Sequence, residues 1–356
     1  MDLFILDKNF EVVALIDVYK SLIWTERYNE AGDFELYLPM KSGLFQYIKL
    51  DYYAWIRESD RYMIIDKIAV DSDPEDGDYL TVSGHSLESI LNRRVVNGET
   101  EVSGNLQQRI KALLEQNFIS PTDVARKIDN FLFQESTNPK VTSVEVNAKY
   151  ESENIYEIVK AQCQENNVGF RIDLNSNKQF VFSMYAGEDR SYAQTTNPYV
   201  VFSPKFDNMA NANYYASRED YKNVAFVIGE CEAFPHEAFA TVGNASGLDR
   251  RELTVDAKDI NTSEGSTITI GEYRALLQVR GKEGLVEHKE KRAFEGEVET
   301  TDPFCYGVDF FVGDIVQMED EYGNSGSAYI SEMVFSHSDE GYMVYPTFKM
   351  IEDEEV

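Results

Sequence analysis

The groups in this sequence that could do chemistry are few, and their neighbours decide how each is read. Gly84-His85-Ser86-Leu87-Glu88 opens as a nucleophile elbow does, but Glu88 stands where the tight strand-to-helix turn needs a second glycine. Ser86 therefore reads as a helix N-cap. Asp71, Asp73 and Glu75 are spaced as in a calcium loop. Asp76 occupies the position that needs glycine, and the closing acid falls on Val82. A solvated hairpin turn is the better reading. The histidines His85, His236, His288 and His337 form neither HExxH nor an i, i+4 pair, so no zinc ligand set emerges. Cys163, Cys231 and Cys305 lie far apart, without CxxC spacing, and read as small core residues made in a reducing compartment. Gly281-Lys282-Glu283-Gly284 lacks the Walker spacing. With 63 acidic residues, no carboxylate pair can be singled out for glycoside cleavage. These residues predict no catalytic site, no metal site and no cofactor.

The elements around them are mostly strands. Phe34-Glu35-Leu36-Tyr37-Leu38 alternates strictly after a Gly32-Asp33 turn. Tyr62 to Val70 and Tyr79 to Ser83 flank a Pro- and Gly-bearing acidic turn, as a hairpin requires. Many short strands at this spacing predict a first β-barrel domain over residues 1–97. From Gly104 the period changes: Leu106, Ile110, Leu113 and Leu114 form one helical stripe, and Ile155, Ile158, Val159 and Ala161 another. A hairpin follows across Asn175-Ser176-Asn177, giving a small α+β domain over 98–207. Strands return over 208–350 as a second barrel domain, with a helical insertion near 270–291, and residues 351–356 form an acidic tail. One internal echo supports two copies of one barrel. Asp51-Tyr52-Tyr53 leads to Ile65-Asp66-Lys67-Ile68-Ala69-Val70, an acidic turn and Gly77. Asp309-Phe310-Phe311 leads to Ile330-Ser331-Glu332-Met333-Val334-Phe335, an acidic turn and Gly341.

The chain has 356 residues, too many for one ordinary core. Its formal charge of -30, from 63 acidic against 33 basic residues, disfavours stable binding to nucleic acid or an anionic membrane. The start lacks a basic leader, and no stretch approaches the ~20 apolar residues of a membrane helix. Cytosolic synthesis is expected.

Several stretches resemble a family of siphophage tail proteins of the baseplate-hub or tail-tip type, the ReqiPepy-like siphovirus tail proteins of phages and prophages of Gram-positive hosts. They are Leu22-Ile23-Trp24-Thr25-Glu26-Arg27-Tyr28 with Ala31-Gly32-Asp33-Phe34-Glu35-Leu36, then Leu80 to Leu91 closed by Arg93-Arg94. Asn223-Val224-Ala225, Gly247-Leu248-Asp249-Arg250-Arg251-Glu252 and Asp309-Phe310-Phe311-Val312-Gly313-Asp314 follow in order. The resemblance implies a mainly β, baseplate-hub-like fold of two tube-like barrels and an α+β domain. It also implies a homotrimeric ring in the virion tail that caps the tube and lets DNA pass through its lumen without specific binding. Implied partners are tail-tube and distal-tail proteins, the tape-measure protein and a receptor-binding fibre. The family offers no catalytic residues to carry over. A receptor- or carbohydrate-binding tail protein and a tail-associated cell-wall hydrolase are the competing readings. A hub needs shape, so Trp24, Arg27, Tyr28, Arg93, Arg94, Arg250 and Arg251 stand as candidate subunit-contact residues. The acidic turns Asp71 to Asp78 and Asp314 to Glu321 are candidates to face the lumen.

Overall fold

The computed structural model describes residues 1–41, 43–73, 77–96, 98–231, 238–262, 269–298, 303–339 and 341–351. The chain divides into two compact units. One joins Met1–Ala212 to Glu295–Asp353, and the other is Asn213–Phe294.

The larger unit begins with seven strands: β1 (Leu3–Leu6), β2 (Val12–Ile16), β3 (Ser21–Arg27), β4 (Asp33–Pro39), β5 (Tyr53–Ile56), β6 (Tyr62–Asp73) and β7 (Gly77–Ser86). Alternation sets their faces: Phe34, Leu36 and Leu38 of β4 are buried while Glu35 is exposed. The middle of the chain adds β8 (Glu99–Asn105), α1 (Leu106–Leu114), β9 (Phe131–Gln134), α2 (Pro139–Thr142), β10 (Glu145–Glu151), α3 (Ile155–Glu165), β11 (Gly169–Leu174) and β12 (Phe180–Tyr185). Both longer helices start as the sequence requires. Asn105 caps α1 by accepting from the Gln108 amide at 3.2 Å, and Asn154 caps α3 through the Tyr156 amide at 2.8 Å. Their apolar stripes do not close a separate core. Ile110, Leu114, Ile158 and Val159 belong to one cluster with Ile64, Leu87, Ile90 and Leu91 of the first segment. The expected boundary near 97/98 is therefore crossed by a shared core.

After β13 (Val201–Phe202), strands β14 (Met209–Ser217) and β18 (Lys291–Val298) pair as a two-stranded ribbon that the boundary of the smaller unit cuts, and the rest of that unit lies between them in sequence. That unit holds β15 (Val224–Cys231), β16 (Phe239–Val242), β17 (Glu252–Thr262) and α4 (Ile270–Glu287). A capping box between Thr269 and Glu272 starts α4, and Tyr273, Leu277 and Gly281 face the sheet β16-β15-β17. A Cβ on Gly281 would come within 2.7 Å of Val227 and Val242, so glycine sets how closely helix and sheet approach. What the sequence suggested as a helical insertion in a second barrel is thus a helix packed on its own sheet.

The chain closes with β19 (Ile315–Glu319), β20 (Ser325–Ser338) and β21 (Gly341–Met350). Here the two-barrel expectation is corrected. The terminal strands and the first seven form one eleven-stranded sheet, ordered β13-β19-β20-β3-β4-β7-β6-β5-β1-β2, with β21 on the other flank of β20. Among the described residues it ends on free edges, and no sheet closes into a barrel. The reason is the pairing of β3 with β20, Ser21 opposite Ser338 through Arg27 opposite Glu332.

The echo is real as geometry. β5-β6-β7 and β19-β20-β21 are both antiparallel meanders, and the long hairpin in each carries a bulge at the matching place, Asp66 in β6 and Ser331 in β20. In the first, the Asp51 amide donates to the Ile65 carbonyl and the Ile65 amide to the Tyr52 carbonyl. In the second, Gly313 donates to Ile330, and Ile330 to Asp314. The backbone thus equates Asp51-Tyr52 with Gly313-Asp314, four residues beyond the Asp309-Phe310 that the sequence suggested.

Gly84 crosses β6 so closely that a Cβ there would lie 1.7 Å from the Ile64 carbonyl oxygen. Backbone cannot yield as a side chain can. Gly84→Ala is expected to cost about 2–3 kcal/mol or to prevent folding, measured as a shift of the urea midpoint.

Candidate functional site

The residues that could have done chemistry are held as structure. Ser86 is buried, and its Oγ accepts from the Gly32 amide at 2.8 Å. The neighbouring imidazole serves another group: His85 Nδ1 lies 2.7 Å from Asp66 Oδ2. Cys163 is buried and burial pushes its thiol pKa up, which removes it as a nucleophile. Asp71, Asp73 and Glu75 do not gather around a centre; β6 runs to Asp73 and pairs it with Gly77, while Glu75 and Asp76 lie outside the described residues. His236 also lies outside them, as does the side chain of Cys231. Among the described residues no three His, Cys, Asp or Glu side chains are grouped to hold a metal ion.

Instead, the unit is organised by a buried polar chain. Glu88, the residue that spoils the elbow, is buried and takes Arg61 Nη1 at 2.7 Å and the Ile172 amide at 3.0 Å on Oε1. The Arg61 amide donates at 3.0 Å to Ser59 Oγ, which in turn donates to Glu26. Tyr306 Oη donates to the other Glu26 oxygen at 2.7 Å. Burial, and then the Glu26 carboxylate, push the Tyr306 phenol well above its ordinary range. Burial opposes the Arg61 charge, yet Glu88 beside it holds the guanidinium more firmly protonated than usual. This chain links the first sheet, β11 and the segment before β19. It borders a cleft of about 510 Å³ that Asp60, Arg171 and Tyr185 also line. Nothing in the sequence marked Ser59, Arg61 or Tyr306, since a buried arginine has no local signature.

The candidate contact residues separate into four groups. Trp24 and Tyr28 are 0% and 1% exposed, so they are core side chains and offer no surface to a neighbour. Tyr28 fills the space beside Gly169 and Gly313 and donates to the Asn167 carbonyl at 2.9 Å. Arg27 and Arg93 come together in a second cleft of about 500 Å³, with Asp33, Asp66 and His85. There Arg27 pairs with Asp33 at 2.7 Å and Glu332 at 3.0 Å, and Arg93 with Asp51 at 3.4 Å. Arg94 donates to the Arg126 carbonyl and lies over Phe118. Arg250 and Arg251 belong to the smaller unit; the first pairs with Glu252 at 2.6 Å, and the second donates to the Arg218 carbonyl over Tyr221. Two acids expected to face a lumen are also buried. Asp314 is 2% exposed and pairs with Arg190 at 2.8 Å, and Asp320 is 3% exposed and binds the Asn324 amide at 2.8 Å.

Residues 2–348 match the family model described as Siphovirus ReqiPepy6 Gp37-like protein. No curated protein matches the chain by sequence. Solved structures share the fold along its length. The 43 kDa tail protein of prophage MuSo2 from Shewanella oneidensis is 13% identical, with a TM-score of 0.61 over 98% of each chain. The tail protein from Neisseria meningitidis MC58 is 12% identical, with a TM-score of 0.57 over 99% of this chain and 96% of that one. Prophage tail protein gp18 from Listeria monocytogenes EGD-e is 13% identical, with a TM-score of 0.56 over 100% of this chain and 96% of that one.

Removing Arg61 strands a buried carboxylate. Arg61→Met should cost about 3–5 kcal/mol by urea unfolding, and Arg61→Met combined with Glu88→Leu should cost less than Arg61→Met alone. His85 yields a pH test. Its hydrogen bond to Asp66 raises the imidazole pKa above 6.5, so the contact's contribution is full below that value and is lost as pH rises through the raised one. The melting-temperature difference between the native protein and His85→Gln should accordingly be largest below pH 6.5 and shrink as pH rises through the raised pKa.

Proposed function

The chain belongs to the siphovirus ReqiPepy6 Gp37-like family of phage tail proteins, and from that premise we propose that it is a baseplate-hub component of the tail tip. In this reading three copies form a ring that ends the tail tube and links it to distal or receptor-binding components. The observation that carries the reading is the fate of the reactive groups. Ser86, Glu88 and Cys163 are buried in the sheet and core, and His85 is paired with Asp66 at the surface, which suits a part whose work is shape. Two matching meanders in one sheet give each copy two similar β units with which to build a ring. Arg93, Arg94, Arg250 and Arg251 remain the surface cations best suited to ion pairs between copies in so acidic a chain.

A ring that passes double-stranded DNA is served by a wall that does not hold phosphates, because each phosphate contact would release counterions and slow the passage. Asp314 and Asp320 are spent internally, so exposed acids such as Asp71 and Asp78 are the ones to do this. Only charges within ~8 Å of the DNA act at physiological salt.

The experiment is multi-angle light scattering on the purified protein, alone and mixed with the tail-tube protein of the same virion, followed by negative-stain imaging. A three-lobed ring with a central hole is expected. A monomer under both conditions removes the hub reading.

A further inference from the structure

Helix α4 carries apolar side chains on two faces. Tyr273, Leu277 and Gly281 are buried against the sheet β16-β15-β17. Away from that sheet, Leu276, Val279 and Val286 are 45%, 54% and 59% exposed. A helix that packs on one sheet and otherwise meets water needs a single apolar stripe, with polar residues opposite it. Lone exposed apolar residues are ordinary on a surface, but these three are not scattered. Leu276, Val279, Glu283 and Val286 follow one another at intervals of three, four and three residues. That is the spacing with which a helix presents a continuous seam to a second helix. Only Glu283 interrupts it.

We infer that this face of α4 packs against α4 of a second copy of the chain, the helices running parallel around the axis of the ring. The inference rests on the ring reading above and supplies a surface that would build the ring. Charge complementarity identifies the occupant. Along a parallel seam of this kind, the residue just before Glu283 on one helix faces the residue five places later on its neighbour. Those residues are Lys282 and Glu287, of opposite sign, and one heptad earlier Ala275 meets Arg280, so no like charges are opposed. Lys282 and Glu287 are exposed, and among the described residues neither has an ion-pair partner within the chain. Rotation about an axis along the helices keeps them parallel. Each copy then sets its Lys282 side against the Glu287 side of the next, and unlike surfaces meet at every joint. The smaller unit is close to neutral, so its copies approach without the repulsion that the acidic larger unit would meet. A single polar residue in an apolar seam fixes register at some cost in stability, which is the part left to Glu283. Arg280 pairs with it at 3.4 Å within each helix and offsets the repulsion between its copies at the axis.

Val279, Lys282 and Glu287 are exposed, so Val279→Lys, Glu287→Lys and Lys282→Glu should leave the urea midpoint unchanged. Val279→Lys should raise about tenfold the concentration at which light scattering shows half assembly. Glu287→Lys should raise it too, by setting lysine against lysine, and adding Lys282→Glu should bring it back. Repulsion between acidic copies predicts the opposite sign at each of these steps. If the native protein assembles while Val279→Lys assembles as well, or while the charge exchange restores nothing, the seam is wrong and the ring reading stands. If these variants assemble as the native protein does but no longer bind the tail-tube neighbour, that neighbour covers α4 and the inference falls. If the native protein never assembles, with or without its tube neighbour, both fall.

Discussion

The larger unit depends on one ladder, the pairing of β3 with β20. It joins residues separated by some three hundred positions of chain, and the entropy of closing so long a loop grows only with the logarithm of its length. What offsets it is burial at the seam. Trp24 sits opposite Phe335, packs on Phe34 at a ring-centroid distance of 5.8 Å, and is fully buried. A side chain of that size contributes on the order of 3–5 kcal/mol when its loss leaves a cavity. Arg27 locks the end of the ladder to Glu332 and braces it against Asp33 of the next strand. With both ends of the chain fixed in one sheet, every segment between them must leave that sheet and return to it. The helices of the middle segment accordingly pack on the sheet's own core residues.

Local rules in the sequence foresaw a good part of this. The alternation of Phe34, Leu36 and Leu38, the stripe of α1, and the hairpin around Asn175 to Asn177 all appear where their periods place them, while in α3 Ile155, Ile158 and Val159 are buried as expected but Ala161 is exposed and Gln162 and Cys163 take the inner face. Such signals are written within ten residues of each other. The partner of β3 is not, because a strand's sequence specifies its buried face and leaves its neighbour open. The same limit displaced the echo by four residues: matching side chains aligned one Asp-aromatic pair with another, while the backbone bonds equate Tyr52 with Asp314. Trp24 and Tyr28 are contact candidates by sequence for a related reason, since large aromatics suit both a core and a contact. Burial within the chain decides for the core.

The buried polar chain through Glu26, Ser59, Arg61 and Glu88 is a second kind of constraint. Apolar side chains of similar volume would stabilise the unit at least as well, because desolvating two charges offsets most of their attraction. What the polar chain adds is direction. Glu88 can satisfy the Ile172 amide and Arg61 together in only one placement of β11, and Tyr306 reaches Glu26 only when the segment before β19 is seated. Three stretches distant in sequence are thereby fixed in register by bonds that tolerate little error, where apolar packing alone would accept small slips. A part whose edges must meet their neighbours accurately has use for such rigidity.

The acidic excess is distributed unevenly, and that unevenness bears on how copies can meet. Residues 213–294 hold 11 of the 33 lysines and arginines and 14 of the 63 acids, so the smaller unit is close to neutral. The larger unit carries almost the whole negative balance, and part of it is neutralised internally, as at Asp314 with Arg190. Copies of the larger unit brought face to face would repel wherever exposed acids approached within a Debye length. Contacts that bring basic and near-neutral segments against the acidic sheet avoid that cost. The basic end of the smaller unit, where Arg250 and Arg251 lie close to the start of β15, has this character. Lys67 has it too, standing in the acidic sheet at the position where the other meander carries Glu332. In the ring proposed above, charge therefore restricts the pairings of one copy with the next to those in which unlike segments meet. A head-to-tail arrangement that closes on itself satisfies this restriction at every contact, because each joint sets a different surface of one copy against the next.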